Sequence, residues 1–329
     1  MRFHTWTCAL LFGVSSYAVG QTRWTPPRTP DGHADLQGIW TTATLTPLER
    51  PAEFAGKPIL TKAEAAAYEK RLLQGDDRDR RDGSADVDLG RAYNESWFDR
   101  GSKVAGLRSS LIVDPPDGRI PPLTPAAQKK LDAASEYARL HPADSPEDRP
   151  LAERCLLWPT AGPPMLPGAY NNNYQIVQAP GYVAIVIEMI HDVRIIPTDG
   201  RRHLRANIRQ WMGDPVGHWE GDTLVVETTN FSDKTSDIGA GMRRATFRGS
   251  DEQMRVIERF TRVNPDTIVY EFTIDNPTAF TKSWSAQIPM SKSADPLFEY
   301  ACHEGNYAMT GVLAGARAEE EKAAKKAQK

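Results

Sequence analysis

The stretch Thr267-Ile268-Val269-Tyr270-Glu271-Phe272-Thr273-Ile274 decides how this chain folds. Ile268, Tyr270, Phe272 and Ile274 fall on one side of an extended backbone, and Thr267, Glu271 and Thr273 fall on the other. Alternation with period two is the mark of a strand with one face buried and one face wet. Trp284, Ala286, Ile288 and Met290 repeat it further on, and Leu224 and Val226 oppose Glu227 in Thr223–Thr229. Met254–Thr261 forms a pair with the opening stretch around the turn residues Asn264-Pro265-Asp266, and Gly221-Asp222 turns another hairpin. Tyr182 to Pro197 is one long apolar, β-branched run that reads as a single strand, and Leu297 to Cys302 reads as the last strand. Six or more strands in about 130 residues, joined by short turns, predict an antiparallel, strongly curved sheet or barrel.

Before residue 160 the signals are different. Thr61-Lys62-Ala63-Glu64 has the form of a capping box and opens a helix ending at Gly75. Thr124-Pro125 opens a second, and Ser145-Pro146 a short third. Asp76 to Gly90 reads as a charged loop, and Ser109 to Val113 as a strand stopped by Asp114-Pro115-Pro116. The expected organisation is a leader over 1–20, an irregular and helical region over 21–160 packed on the barrel, a barrel-like region over 161–313 and a charged helical tail over 314–329. The fold class is therefore mainly β with a helical and irregular N-terminal extension.

The chain has 329 residues, with 40 Lys+Arg, 43 Asp+Glu and a net charge of −3. With hydrophobic residues at 40% there is enough apolar surface for a core. The near-neutral balance argues against a nucleic-acid partner, which would call for clustered Lys and Arg. Arg2, the apolar stretch Trp6 to Val14, and the small residues Ala18 and Gly20 have the layout of a secretory signal cleaved near Gly20. That layout predicts a periplasmic or secreted protein, and no later run is apolar enough for stable membrane insertion. Cys8 would leave with the leader, so Cys155 and Cys302 remain as one pair in an oxidising compartment, and a disulfide is the economical reading.

The runs Asp35-Leu36-Gln37-Gly38-Ile39-Trp40, Tyr170-Asn171-Asn172-Asn173, Ile190-His191-Asp192-Val193-Arg194, Gly217-His218-Trp219-Glu220-Gly221-Asp222 and Cys302-His303-Glu304-Gly305-Asn306 span nearly the whole mature chain. In them the sequence resembles a family of exported bacterial proteins found in acidobacteria and proteobacteria. The resemblance implies export and a shared architecture, and attaches no activity. More loosely, Gly38-Ile39-Trp40 entering a β-meander is similar to the first strand of lipocalin-like barrels, and the helical insertion after Trp40 departs from that pattern.

Chemistry concentrates in Glu188-Met189-Ile190-His191-Asp192-Val193-Arg194. A bulge near Met189 or Ile190 would let His191 join Glu188 or Asp192 in one pocket, with Arg194 facing a developing negative oxygen. The competing arrangement is a structural pair of Arg194 with a carboxylate inside the sheet, with His191 exposed. His303, beside Cys302, is the second candidate base. Tyr170, Asn172 and Asn173 offer a polar cluster for a ligand or, alternatively, turn chemistry. Trp219, Tyr270 and Trp284 are candidate walls of a cavity or core residues. No metal-ligand spacing, nucleotide-binding loop or nucleophile elbow occurs, so no metal and no cofactor are expected. Two functions follow. One is a cofactor-free acid–base enzyme (lyase, isomerase or hydrolase) acting on a small apolar or aromatic molecule through His191. The other is a non-catalytic small-ligand carrier.

Overall fold

A computed structural model describes residues 24–91, 94–234 and 251–328. The segment 1–20, expected to be a leader, lies outside the described residues. Among the described residues ten strands form one antiparallel sheet: β1 (Gly38–Thr41), β2 (Ile112–Asp114), β3 (Asn173–Ala179), β4 (Tyr182–Ile187), β5 (Val193–Pro197), β6 (Asp214–Glu220), β7 (Thr223–Thr229), β8 (Arg255–Asn264), β9 (Thr267–Asp275) and β10 (Trp284–Lys292). Their order is β5-β4-β3-β1-β10-β9-β8-β7-β6, with β2 pairing β10 off this path. The sheet curls into a nearly closed barrel, so the mainly β, strongly curved architecture expected from the alternation is what the chain adopts.

The strict alternation sets the curvature and the core together. Ile268, Tyr270, Phe272 and Ile274 are all buried, as are Trp284, Ala286, Ile288 and Met290 on the neighbouring strand. Trp40 and Tyr174 face them from β1 and β3, and the Trp40 indole N–H donates to the Leu36 carbonyl at 2.9 Å. Each large ring removes some 150–250 Å² from water, which makes these residues the main apolar contribution to the barrel. The two ends of the sheet meet at β5 and β6, where Gly217 sits against Ile196 and Thr198. A Cβ there would lie 2.9 Å from the Ile196 Cγ2. Gly217→Ala should therefore lower stability by about 1 to 2 kcal/mol in a denaturant melt, because a β-branched neighbour has little freedom to withdraw. An unchanged midpoint would mean the seam is not tightly packed.

Among the described residues four helices lie outside the strands: α1 (Lys62–Asp76), α2 (Ala85–Leu89), α3 (Pro125–Leu140) and α4 (Tyr307–Ala327). The Thr61 hydroxyl and the Glu64 carboxylate form the expected capping box of α1, and Thr124 caps α3. The Ser145 start yields only a single 3-10 turn, Pro146–Asp148. The 76–90 segment is not all loop, since α2 occupies its end. α4 begins at Tyr307, well before the tail boundary at 314. Residue 160 is not a structural divide either. β1 lies in the middle of the sheet between β3 and β10, because it supplies the Trp40 side of the core.

Two strand expectations are corrected. Tyr182 to Pro197 is a hairpin rather than one bulged strand: β4 and β5 pair antiparallel, Tyr182 opposite Pro197. Ile190 and His191 both adopt φ of 56°, and this left-handed pair turns the chain back. Leu297 to Cys302 is not a strand. The Phe298 N–H donates to the Glu188 carboxylate at 3.2 Å instead of joining a ladder. The Cys155–Cys302 disulfide is formed, with the two Cα atoms 5.8 Å apart.

Candidate functional site

A cleft of about 830 Å³ opens where β1 ends, β3 begins and β4 turns. Two segments, 96–99 and the chain running from Lys292 at the end of β10 to Tyr300, form its walls. Register puts it there. Thr41 pairs Asn173, and the Glu188 N–H donates to the Asn173 carbonyl at 3.1 Å, so these residues of three adjacent strands form one polar row. The row before it, Trp40, Tyr174 and Ile187, is buried in the core.

Glu188 is the deepest group, only 2% exposed. Its carboxylate accepts from the Asn173 side-chain amide at 2.7 Å and from the Phe298 N–H, which orients it in the cleft. Asp99 reaches the cleft from the opposite wall and is open to solvent through the mouth. Desolvation by the surrounding walls raises its carboxyl above the ordinary value of 3.8, and the charges of Glu188 and Asp295 add to the effect. The aromatic lining comprises Trp97, Phe98, Tyr170, Phe298 and Tyr300. Trp97 and Phe298 are 68% and 62% exposed, and the Phe98 ring meets Tyr170 edge-on.

Asn172 holds this wall in place. It is fully buried, accepts from the Gly168 N–H at 2.7 Å, and donates to the Asp99 and Gly168 carbonyls. Its amide is taken up by backbone, so Asn172 positions Asp99 rather than contacting a ligand. Asn173 and Tyr170 do line the cleft. The left-handed turn geometry read for this Asn run falls at Asn171, φ 52°, which lines the cleft together with Tyr170 and Asn173.

The convergence around His191 does not occur, and the competing arrangement does: Arg194 pairs with a carboxylate inside the sheet and His191 is exposed. His191 is exposed at the turn and is not among the residues lining the cleft. Asp192 caps the same turn, with its carboxylate on the Val193 N–H at 2.7 Å. Arg194 points the other way, into the barrel, where its guanidinium engages both oxygens of Glu258. Glu188 opens the turn between β4 and β5, His191 and Asp192 close it and Arg194 already lies on β5, so the four side chains leave in different directions. His303 is exposed beyond the disulfide. Trp219 stacks on His33 with centroids 4.7 Å apart, away from the cleft. Tyr270 and Trp284 are core residues, fully buried.

The barrel interior holds a polar network of its own. The Tyr270 hydroxyl donates to Glu258 at 2.8 Å and accepts from the Met165 N–H at 3.0 Å. Burial and then the Glu258 charge push the Tyr270 phenol well up. Burial opposes the Arg194 charge, but the Glu258 carboxylate outweighs it and the guanidinium is held even more firmly protonated. Glu258 was legible as a buried charge: Val256, Glu258, Phe260 and Arg262 share the inward face of β8. Asp99, Asp295 and Phe298 carried no such signal, because they sit on irregular chain.

Asp99 makes a pH-dependent prediction. A carboxyl raised in the folded state favours folding while protonated, and that contribution is lost as pH rises through its folded value. Asp99→Asn should therefore be more stable than wild type at neutral pH, with the difference closing as the pH falls towards 3.8. Melts across that range would check it, and a gap independent of pH would contradict it. No protein-family model, curated protein or solved structure matches this chain.

Proposed function

We propose that this is an exported protein that binds a small molecule in the Glu188–Asp99 cleft and carries out cofactor-free acid–base chemistry on it. The observation that carries the reading is the pair itself. A carboxyl raised by its surroundings faces a buried, hydrogen-bonded carboxylate across one aromatic-walled opening. Two titratable groups held in different environments are what proton transfer to and from one substrate requires. In this reading Asp99 acts from the solvent-open wall and Glu188 from the buried one, the two carboxylates serving one bound substrate. The reaction class is the lyase, isomerase or hydrolase class expected from the sequence, with the roles moved from His191 to the two carboxylates. Export agrees with the disulfide. Among the described residues no helix is long and apolar enough to cross a membrane.

A specific observation favours a carrier as the second reading. Both oxygens of Glu188 already accept a hydrogen bond, which suits holding a ligand as well as transferring a proton. Native mass spectrometry of the exported protein should show a retained small molecule. Incubation with that molecule in deuterated water should then label or convert it, and Asp99→Asn should abolish this while binding persists. A carrier would return the molecule unchanged. Protein that retains nothing and binds nothing in the cleft would defeat both readings.

A further inference from the structure

Resting on that cleft reading, we infer that its ligand is an organic cation: a protonated or quaternary amine on an apolar or aromatic body. The argument starts from Glu188. Three glutamates are buried among the described residues: Glu69, Glu188 and Glu258. Glu69 has Lys103 at 2.9 Å, and Glu258 has Arg194. Among the described residues Glu188 has no cation within ion-pair distance, only two neutral N–H donors. Buried charges are ordinarily paired, because removing a charge from water costs several kcal/mol. The unpaired one faces the cleft, so a positive group entering the cleft completes it.

The surroundings have the same sign. Asp99, Asp295 and Glu299 line the opening with Glu188, against a single cation, Lys292, which forms no ion pair among the described residues. Mutual repulsion is already felt, since the Glu188 and Asp295 charges help to raise Asp99. A bare metal ion does not fit. No group of three or more His, Cys, Asp or Glu side chains among the described residues lies close enough together to hold one. Carboxylates spread around an opening this wide suit a charge carried on a larger body. The rings supply the rest, because the exposed faces of Trp97 and Phe298 attract cations as well as apolar surface. Phe98 already takes a guanidinium in this way, with Arg100 4.4 Å from its centroid.

Calorimetric titration of the full mature protein with shape-matched probes tests the inference. Benzyltrimethylammonium, benzyl alcohol and benzoate differ mainly in charge, methyl glucoside represents a neutral polyol, and magnesium a bare cation. The ammonium probe should bind about tenfold or more tighter than the alcohol, and benzoate should bind least. Glu188→Gln should remove most of that preference. Because this variant alters a buried hydrogen-bond pair, the exposed-site changes Trp97→Ala and Asp295→Asn are run beside it, and each should weaken the ammonium probe about threefold or more. Equal or tighter binding of the alcohol, glucoside or benzoate in the cleft overturns the cation assignment and leaves the cleft reading standing. Magnesium binding there alone also overturns it. If none of the probes binds, the charge of the molecule retained on purification decides: a cation upholds the assignment, and a neutral or anionic molecule overturns it. No probe bound and no molecule retained means the cleft reading itself has failed.

Discussion

Replacing both cysteines, Cys155→Ala with Cys302→Ala, should destabilise the protein by about 3 to 5 kcal/mol and weaken the proposed binding of benzyltrimethylammonium in the cleft. The stability term comes from the unfolded chain. The bridge closes a sequence separation of 147 residues, and freeing so long a loop restores much conformational entropy to the denatured state. The binding term comes from the native wall. From Ser293, whose N–H donates to the Ile39 carbonyl, the chain passes Asp295, Phe298 and Tyr300 along the cleft and is next covalently tied at Cys302. Close by, the Asn306 amide donates to the Glu153 carbonyl and to the Cys155 sulfur, so the start of α4 is moored at the same point. Without the bridge, the Phe298 N–H that orients Glu188 would rest on a segment fixed firmly at one end only. Denaturant melts of wild type with and without reductant, beside the double variant, would measure the first effect. Titration with benzyltrimethylammonium would measure the second. Equal midpoints for reduced and oxidised protein would contradict the stability claim. Full affinity in the double variant would show that the wall holds itself.

The second large effect is expected inside the barrel. Arg194→Met should cost about 3 to 5 kcal/mol, because it leaves Glu258, 0% exposed, without its counter-charge. Most of that cost belongs to the stranded carboxylate rather than to the lost pair. Arg194→Met with Glu258→Gln should therefore be more stable than Arg194→Met alone, although its new amide donors lack partners and leave a residual cost of about 1 to 3 kcal/mol. The amide carbonyl that replaces the carboxylate can still accept from Tyr270, which in turn accepts from Met165. A double-mutant cycle by chemical denaturation separates these contributions. Equal stability of the single and double variants would mean that Glu258 finds solvent or another partner once Arg194 is gone. Titrating the soluble, folded double variant with benzyltrimethylammonium separates core from cleft, since it should give the same result as wild type.

Much of the fold was legible and little of the site. The residues predicted inward on β9 and β10 are inward, and the capping box at Thr61 and the Pro start at Thr124 both open helices where expected. The ionisable run over 188–194 admits two arrangements in the sequence, one pocket or a structural Arg194 pair with His191 exposed, and the fold adopts the second while sending Glu188 to the cleft. A left-handed turn at Ile190 and His191 sends Glu188 to a cleft, His191 to solvent and Arg194 to the core. Apolar Ile190 carries no mark of positive φ, since β-branched residues rarely adopt it, and so the turn was hidden inside what looked like a strand.

Sequence alone determined what depends on neighbours along the chain. Side-chain alternation decides which face of a strand avoids water, and hydroxyl and carboxylate spacing decides where helices start. Tertiary structure decided what depends on neighbours across it. Glu258 answers Arg194 from 64 positions away, and Asp99 shares a cleft with Glu188 and Phe298, one wall held by Asn172 and the other tied by the disulfide. These meetings involve irregular segments and opposite sides of a barrel, where no periodicity exists to be read. Coulomb and desolvation energies act through space, so the partner that satisfies a buried charge is known only once the chain has closed on itself.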